Sequence, residues 1–495
     1  MYSGLKAGRR GAGRVAEIAR RALALAFMLL VVGCASIEPA PAPKAAAAPV
    51  AAAAITAPVN PERKRLIDAF GGEYESPGVT RYIDGVLARL APASETPSEP
   101  YRVTLLDSPI VNAFALPSGD IFITRGLLAL ADDGAEVAAV MAHEIAHVTA
   151  HHAAQRAELE RTAALFTRVS TQVLAKPQQG QEVEARMKLS IAHFSRQQEF
   201  EADQIGIKVI AKAGYDPYAA SRFLDVLGRW SALRASMIGM GAADKPDMMA
   251  THPSTPERIA EAVAQARAIG APGIGETARD SYLSAIDGLA FGDNPAQGLA
   301  LGRRFLHPKL GFAFEAPDGF ALENQSAALI GVGEAGSQAL RLDSIEANPT
   351  TTLEAALASG WIDGVQTNSV ETIGDADLPM AVAVAKGEQW SFRLGAVRLG
   401  GRIFRLIFAA HGLTPAVDAR FLASIRSFHR LTSEEGAEAR PMHVGVVTAQ
   451  PGDSADSLAQ RMGVGAHALD QFLILNGLER DAATPAGQRY KVASP

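Results

Sequence analysis

Between Asp132 and about Ala266, apolar residues recur every three or four positions, with breaks at Lys176–Gly180, Gly214–Pro217 and His252–Pro256. That period predicts a succession of amphipathic helices. Arg63 to Leu90 carries the same spacing. The segments YRVTLLDS (Tyr101–Ser108) and GDIFITRGLLAL (Gly119–Leu130) instead place β-branched and aromatic residues at strand-like spacing, the second running on into a helix. Residues 61–268 therefore read as one mainly helical domain with a small β-sheet. Residues 269–304 read as a connector with some helix. From His307 the pattern changes to short apolar segments (GFAFEAP, ALRLDSI, MAVAVAKG, SFRLGAVRL, RIFRLIFAA) separated by Gly, Asp and Pro, with helical pieces at Thr351–Gly360 and Pro415–Phe428. Such a pattern predicts an α+β, sandwich-like domain on an antiparallel sheet over residues 305–432. Glu434–Arg440 is a polar linker, and residues 441–493 form a last, small module.

The N-terminus has a different character. Six basic residues precede ALALAFMLLVV (Ala22–Val32), an apolar run too short to span a bilayer, which takes about 20 residues, but suited to a signal peptide. Val31-Val32-Gly33-Cys34 resembles a bacterial lipobox, which implies a signal peptide over residues 1–33 and lipidation of Cys34, the sole cysteine. Ala35 after it, rather than aspartate, points to the outer membrane. Residues 34–60 are an Ala/Pro-rich tether that builds no core. A single cysteine excludes a disulfide framework and a thiolate zinc cluster. The formal charge of −6 gives no reason to expect a nucleic-acid partner. Loss of residues 1–33, with six basic groups and Glu17, leaves 41 basic and 52 acidic side chains, a net of −11.

Histidine is scarce, 11 in 495 residues, yet four fall in VMAHEIAHVTAHH (Val140–His152). His143 and His147 stand at i and i+4, about 40° apart on one helix face, with Glu144 about 100° further round. Two histidine ligands with a glutamate between them as general base is the HExxH arrangement of zinc peptidases. Val137, Met141, Ile145 and Val148 fall on the opposite side, so one face is free to pack while the other meets a cleft. His151 and His152 lie about 12 Å along a continuous helix from His143, too far to share its metal. A third ligand is needed. Positions 150 and 153, where one zinc-peptidase class carries Gly and His, are both alanine. Downstream, SRQQEFEADQIGIKVI (Ser195–Ile210) offers Glu199 and Asp203 at i, i+4 beside the small Ala202. Spacing leaves two readings open: Glu199 as ligand with Asp203 orienting a ligand histidine, or a solvated acidic face beside Arg196, Gln197 and Gln198.

HEIAH followed about fifty residues later by Glu199-Phe-Glu-Ala-Asp203 resembles the HExxH/ExxxD gluzincin metallopeptidases of the CaaX-endopeptidase/HtpX/BepA-like class. The resemblance covers residues 61–266 and implies one zinc ion (Zn2+) held by His143, His147 and Glu199. It implies Glu144 as catalytic base and Asp203 in a supporting position. Asn112-Ala-Phe-Ala-Leu-Pro117, with Gly119 and Thr124–Leu127, is similar to that class's strand beside the cleft, which pairs with extended substrate; Ser118 stands where glycine is usual. Thr251-His252-Pro253-Ser254 with Glu257-Arg258 resembles a later loop, and implies that His252 approaches the open zinc position, to steady an oxyanion or to close the site at rest.

Pro451-Gly-Asp453, the helix at Asp456–Met462, Leu475-Asn-Gly-Leu478 and Pro485-Ala-Gly-Gln488 resemble a LysM module, a βααβ unit, which implies binding to peptidoglycan. Residues 307–431 resemble PsbP/Mog-one-like sandwiches only loosely. The expectation is a zinc endopeptidase lipid-anchored on the periplasmic side of the outer membrane, acting on misfolded or unassembled envelope proteins. The alternatives are a peptidoglycan-directed peptidase and a non-catalytic chaperone or scaffold on a peptidase fold.

Overall fold

The computed structural model of the protein describes residues 61–173, 177–238, 252–333, 336–464 and 467–495. The expected signal peptide, Cys34 and the tether of residues 34–60 lie outside them, as does Thr251.

Helix α1 (Pro61–Ala69) leads to α2 (Pro77–Leu90), which buries Val79, Ile83, Val86, Leu87 and Leu90 on one stripe. The first sheet has β1 (Arg102–Leu106) parallel to β3 (Asp120–Thr124), and β3 antiparallel to β2 (Ala113–Ala115). Among the described residues β2 is an edge strand. Phe70, just after α1, meets Phe114 of β2 at 5.1 Å between ring centroids, and Phe114 stacks on Phe122 of β3 at 4.9 Å. Thr124 caps α3 (Arg125–Leu130), accepting from the Leu127 amide, and Asp133 caps α4 (Gly134–Thr149), accepting from the Glu136 amide. Either cap stabilises its helix by about 1 kcal/mol.

Helix α4 is the centre of the domain. It is buried on nearly every side rather than on one stripe, as its Ala, Val, Ile and Met content permits. Around it pack α5 (His152–Val173), α6 (Pro177–Lys212) and α7 (Ala219–Ile238), and α8 (Pro256–Ile269) packs in turn on α6 and α7. A Cβ on Gly206 of α6 would lie 3.1 Å from the His143 amide nitrogen, so glycine there lets the two backbones approach. Among the described residues no helix is long and apolar enough to cross a membrane.

The stretch expected as a connector with some helix packs against its neighbours. Its helix α9 (Arg279–Ile286) buries Tyr282, Leu283 and Ile286, β4 (Ala290–Phe291) pairs with a strand near the C-terminus, and β5 (Leu299–Leu301) enters the next sheet. Apolar side chains at those positions gain more from burial than a spacer would allow.

A β-rich region follows. Strands β5, β6 (Arg304–His307) and β7 (Phe312–Glu315) form a small antiparallel sheet. A larger, seven-stranded antiparallel sheet is built around the strand Gln338–Glu346 and the pair Ser391–Leu399 and Arg402–Ala410. One face carries Phe404 and Phe408, against which pack Phe314 of β7 and Phe421 of the helix Pro415–Arg426; the other is covered by the helix Leu353–Leu357. The polar stretch expected as a linker is partly helical, Ser433–Glu438, with a capping box between Thr432 and Glu435.

The last residues run strand (Met442–Thr448), two short helices (Ala455–Ala459, Ala468–Leu475), strand (Arg489–Ser494), the two strands antiparallel. This unit was expected as a separate module, yet it shares the core of the helical region. Phe472, Leu475 and Tyr490 belong to one apolar cluster with Val137, Met141 and Ile145 of α4. The Lys491 ammonium, 1% exposed, donates to the carbonyls of Ala129, Leu130 and Ala131 at the end of α3. Arg279 pairs with Asp132 at 3.1 Å and donates to the Arg489 carbonyl. The reason is compositional: a unit of about fifty residues has too little apolar area to be stable on its own margin and gains by merging cores.

Candidate metal centre

Helices α4 and α6 bring their motifs face to face. The ring nitrogens of His143, His147 and His252 and a Glu199 carboxylate oxygen all lie within 4.8 Å of one another. His143 Nε2 is 3.0 Å from His147 Nε2 and 3.3 Å from Glu199 Oε2; His147 Nε2 is 3.5 Å from Glu199 Oε1; His252 Nδ1 is 2.9 Å from Glu199 Oε2. Ligands at about 2.0–2.1 Å from a tetrahedral ion stand roughly 3.3 Å apart, so the donors are spaced as a zinc shell requires. Three imidazoles and a carboxylate are also the donor types zinc takes. Glu199 Oε1 is buried and accepts no hydrogen bond, which leaves it free to receive a cation.

The electrostatics favour the same occupant. Burial pushes the His143 ring down, but hydrogen bonds to Asp203 and Glu199 outweigh it and raise its pKa to about 10. The pocket thus holds a positive charge there in the absence of metal. Burial, with His143 and His252 nearby, pushes His147 well below its ordinary value and leaves the neutral ring a ligand must be. Glu199 is held far below the usual carboxylate range by His252 and His143, against the opposing effect of burial.

Asp203 Oδ1 is 3.0 Å from His143 Nδ1 and fixes that ring's tautomer, with Nε2 left to bind. Arg258, 4% exposed, clamps Asp203 through Nε at 2.7 Å and Nη2 at 2.8 Å and reaches Glu199 Oε2 at 3.1 Å. Burial opposes the Asp203 charge, while Arg258 and His143 hold its pKa down. The sequence brought Arg258 into view only as part of a loop; its role depends on α8 crossing α6, which spacing alone does not report. Gln198 and Glu199 are both 2% exposed, so the solvated-face reading fails for this stretch of α6, whereas Glu201 does face solvent.

Glu144 is 2% exposed, and its Oε1 is buried without a hydrogen-bond partner, 3.7 Å from His252 Nε2. It lines a cavity of about 370 Å³ with His147, Phe70, Phe114 and Asn112, and β2 forms part of the wall. Asn112 Oδ1 is likewise buried and unpartnered. His151 and His152 are not among the clustered donors, but helix α4 does not run straight to them: it ends at Thr149, and His152 returns to place Nδ1 2.9 Å from His147 Nδ1.

A buried HExxH helix, an acidic partner helix and an adjoining cleft with an edge strand define a zincin-type metallopeptidase domain. Residues 77–266 match Peptidase family M48. The chain is 30% identical over 220 residues to the Beta-barrel assembly-enhancing protease of Escherichia coli (strain K12), which takes in 42% of this chain and 43% of that one. It is 31% identical over 195 residues to the protein of the same name from Yersinia pestis, 38% of each chain. It is 34% identical over 158 residues to Mitochondrial metalloendopeptidase OMA1 of Arabidopsis thaliana, 32% of this chain and 30% of that one. The match thus spans under half the length of each of these relatives. Zinc is the metal of this family, and the donors present fit it.

Proposed function

We propose that the protein is a zinc-dependent endopeptidase that hydrolyses peptide bonds in misfolded or unassembled envelope proteins. The observation that carries this is Glu144: a buried carboxylate with one oxygen unpartnered, beside a donor set fit for zinc and open to a cleft. A scaffold has no use for it.

His143, His147 and Glu199 hold the ion, and Asp203, clamped by Arg258, keeps the His143 ring in register. Zinc bound there supplies Lewis acidity, polarising a peptide carbonyl and lowering the pKa of a water. Glu144 Oε1 accepts the proton of the attacking water and delivers it to the leaving amine nitrogen. The free edge of β2 pairs with an extended segment of substrate, and Asn112 Oδ1 accepts from one of its amides. Phe70 and Phe114 line one side of the cleft and keep it dry. His252 stands as a fourth donor, so the described arrangement is a resting one, and withdrawal of His252 opens a place for substrate.

In this reading Cys34 carries a lipid anchor on the periplasmic side of the outer membrane. Similarity to relatives named for β-barrel assembly supports outer-membrane proteins as substrates. The β-α-α-β order of residues 441–493 supports a LysM-like, peptidoglycan-facing role for that unit. Zinc-loaded wild type and Glu144→Gln, incubated with an unfolded outer-membrane protein and with purified peptidoglycan, test the proposal. The variant should keep one zinc per chain and lose activity on the protein by about 10²–10⁴-fold. Cleavage of peptidoglycan instead would favour the cell-wall reading, binding without cleavage of either would favour the scaffold, and an unimpaired variant would overturn the role of Glu144.

A further inference from the structure

Each ligand histidine has a second ring nitrogen that must be satisfied, and the two rings are treated differently. His143 Nδ1 faces the Asp203 carboxylate. His147 Nδ1 faces no carboxylate; its neighbour at 2.9 Å is Nδ1 of His152, whose Nε2 lies 3.4 Å from Glu201 Oε2. We infer that His152 is a positioning residue for His147, the middle of a His147–His152–Glu201 relay that fixes the tautomer and plane of the second zinc-binding ring.

The protons on this path have only one consistent arrangement. His147 binds through Nε2, so its Nδ1 carries the hydrogen and donates. His152 Nδ1 must then accept, which leaves the His152 proton on Nε2, directed at Glu201. The two ring centroids are 4.9 Å apart and the planes 75° apart, so the contact is not a parallel stack.

The backbone is bent to make this contact. On an unbroken helix residues 147 and 152 would stand about 140° apart around the axis and could not touch. The chain instead leaves α4 at Thr149 and passes through His151 at φ 54°, a left-handed conformation that a residue with a Cβ rarely adopts. Helix α5 then begins at His152, and its ring folds back onto His147. From α6, Gln198, 2% exposed, donates its amide to the His152 carbonyl at 3.1 Å and holds the start of α5 in place. His152 itself is 1% exposed. A strained turn and a buried polar ring gain nothing as packing that an aliphatic residue would not supply, and strain of this kind persists where a site depends on it.

The inference rests on the proposed zinc site, and zinc affinity rather than cleavage is its readout. Three full-length proteins are compared by chelator competition for zinc and by the visible spectrum of the cobalt-substituted form: wild type, His152→Leu and His152→Asn. Leucine fills the space without an acceptor; asparagine returns an oxygen near the position of Nδ1. His152→Leu should bind zinc about 10–100-fold more weakly, with an altered cobalt spectrum, as loss of a ligand's orienting partner does. His152→Asn should stay within about threefold of wild type and keep the spectrum. Equal binding by all three, or equal weakening in both variants, would overturn the relay. Where His152→Leu fails to fold, ¹⁵N-histidine NMR of zinc-loaded wild type decides: a proton on Nε2 of His152 is required, and one on Nδ1 overturns the inference. A wild type that takes up no zinc would refute the metal site itself, and one that binds zinc without cleaving protein would leave the relay standing while removing the peptidase reading.

Discussion

Arg258 is the residue on which the charge balance of the metal centre turns, and its removal should be felt as stability before it is felt as chemistry. In Arg258→Met the guanidinium's contacts to Asp203 at 2.7 and 2.8 Å, to Glu199 at 3.1 Å and to the Pro253 carbonyl at 2.9 Å all vanish. Zinc still compensates Glu199. Asp203, 7% exposed, keeps only His143. Breaking a buried pair from one side costs about 3–5 kcal/mol, because the charge left behind is desolvated without compensation. The pH dependence gives a sharper signature. In the wild type Asp203 is held below its ordinary 3.8, so its contribution is present above that value and fades as pH falls through the lower folded one. In the variant burial prevails and raises the carboxyl, so the folded state loses ground as pH rises. The difference in unfolding free energy, from denaturant titrations of both zinc-loaded proteins at pH 5 and pH 8, should therefore widen with pH. A variant within about 1 kcal/mol of wild type at both values, in the range of ordinary surface substitutions, would refute the reasoning.

Three further outcomes follow. Gly206→Val should push α6 from α4, since even a Cβ falls 3.1 Å from the His143 amide nitrogen; the cost should be about 1–3 kcal/mol, with weakened zinc binding measured by calorimetry. In the chelated protein His143, with a pKa of about 10, holds a proton that zinc must displace. Apparent zinc affinity should thus fall about tenfold for each pH unit below that value, down to where the other ligands also protonate, as read by competition titration. Tyr490→Ala, at a position 0% exposed, should cost about 3–5 kcal/mol and melt the helical region together with the C-terminal unit in one calorimetric transition; two separate transitions would show that the two do not share a core.

The helix of His143 and His147 was legible because one element carries both residues, and a spacing of four on a helix is itself a geometric statement. Glu199 and Asp203 were legible as a pair for the same reason. Spacing could not say that α6 would turn them toward α4 rather than toward water, which depends on Gly206 and on the burial of Gln198. The contacts that Arg258 and His152 make were not legible, although both residues lie in stretches the sequence singled out. Arg258 depends on α8 crossing two other helices, and His152 on a left-handed residue that no glycine or asparagine marks. For the connector and the last fifty residues, local pattern located elements but not their packing. Both were read by their local patterns as separate pieces, and Tyr282, Tyr490 and Lys491 instead reach into the core beside α3 and α4. Local pattern reports which face of an element is apolar, not whose core that face completes.

That completion has a consequence in time. A strand around Tyr490 that seals the core beneath the HExxH helix lies more than three hundred residues downstream of it in the chain. Contacts so distant in sequence form only after a large loop has closed, and they are slow. During synthesis the metal-binding helices are made early but lack their floor. Assembly of the metal centre therefore waits on a strand that is made long after the residues that hold the metal.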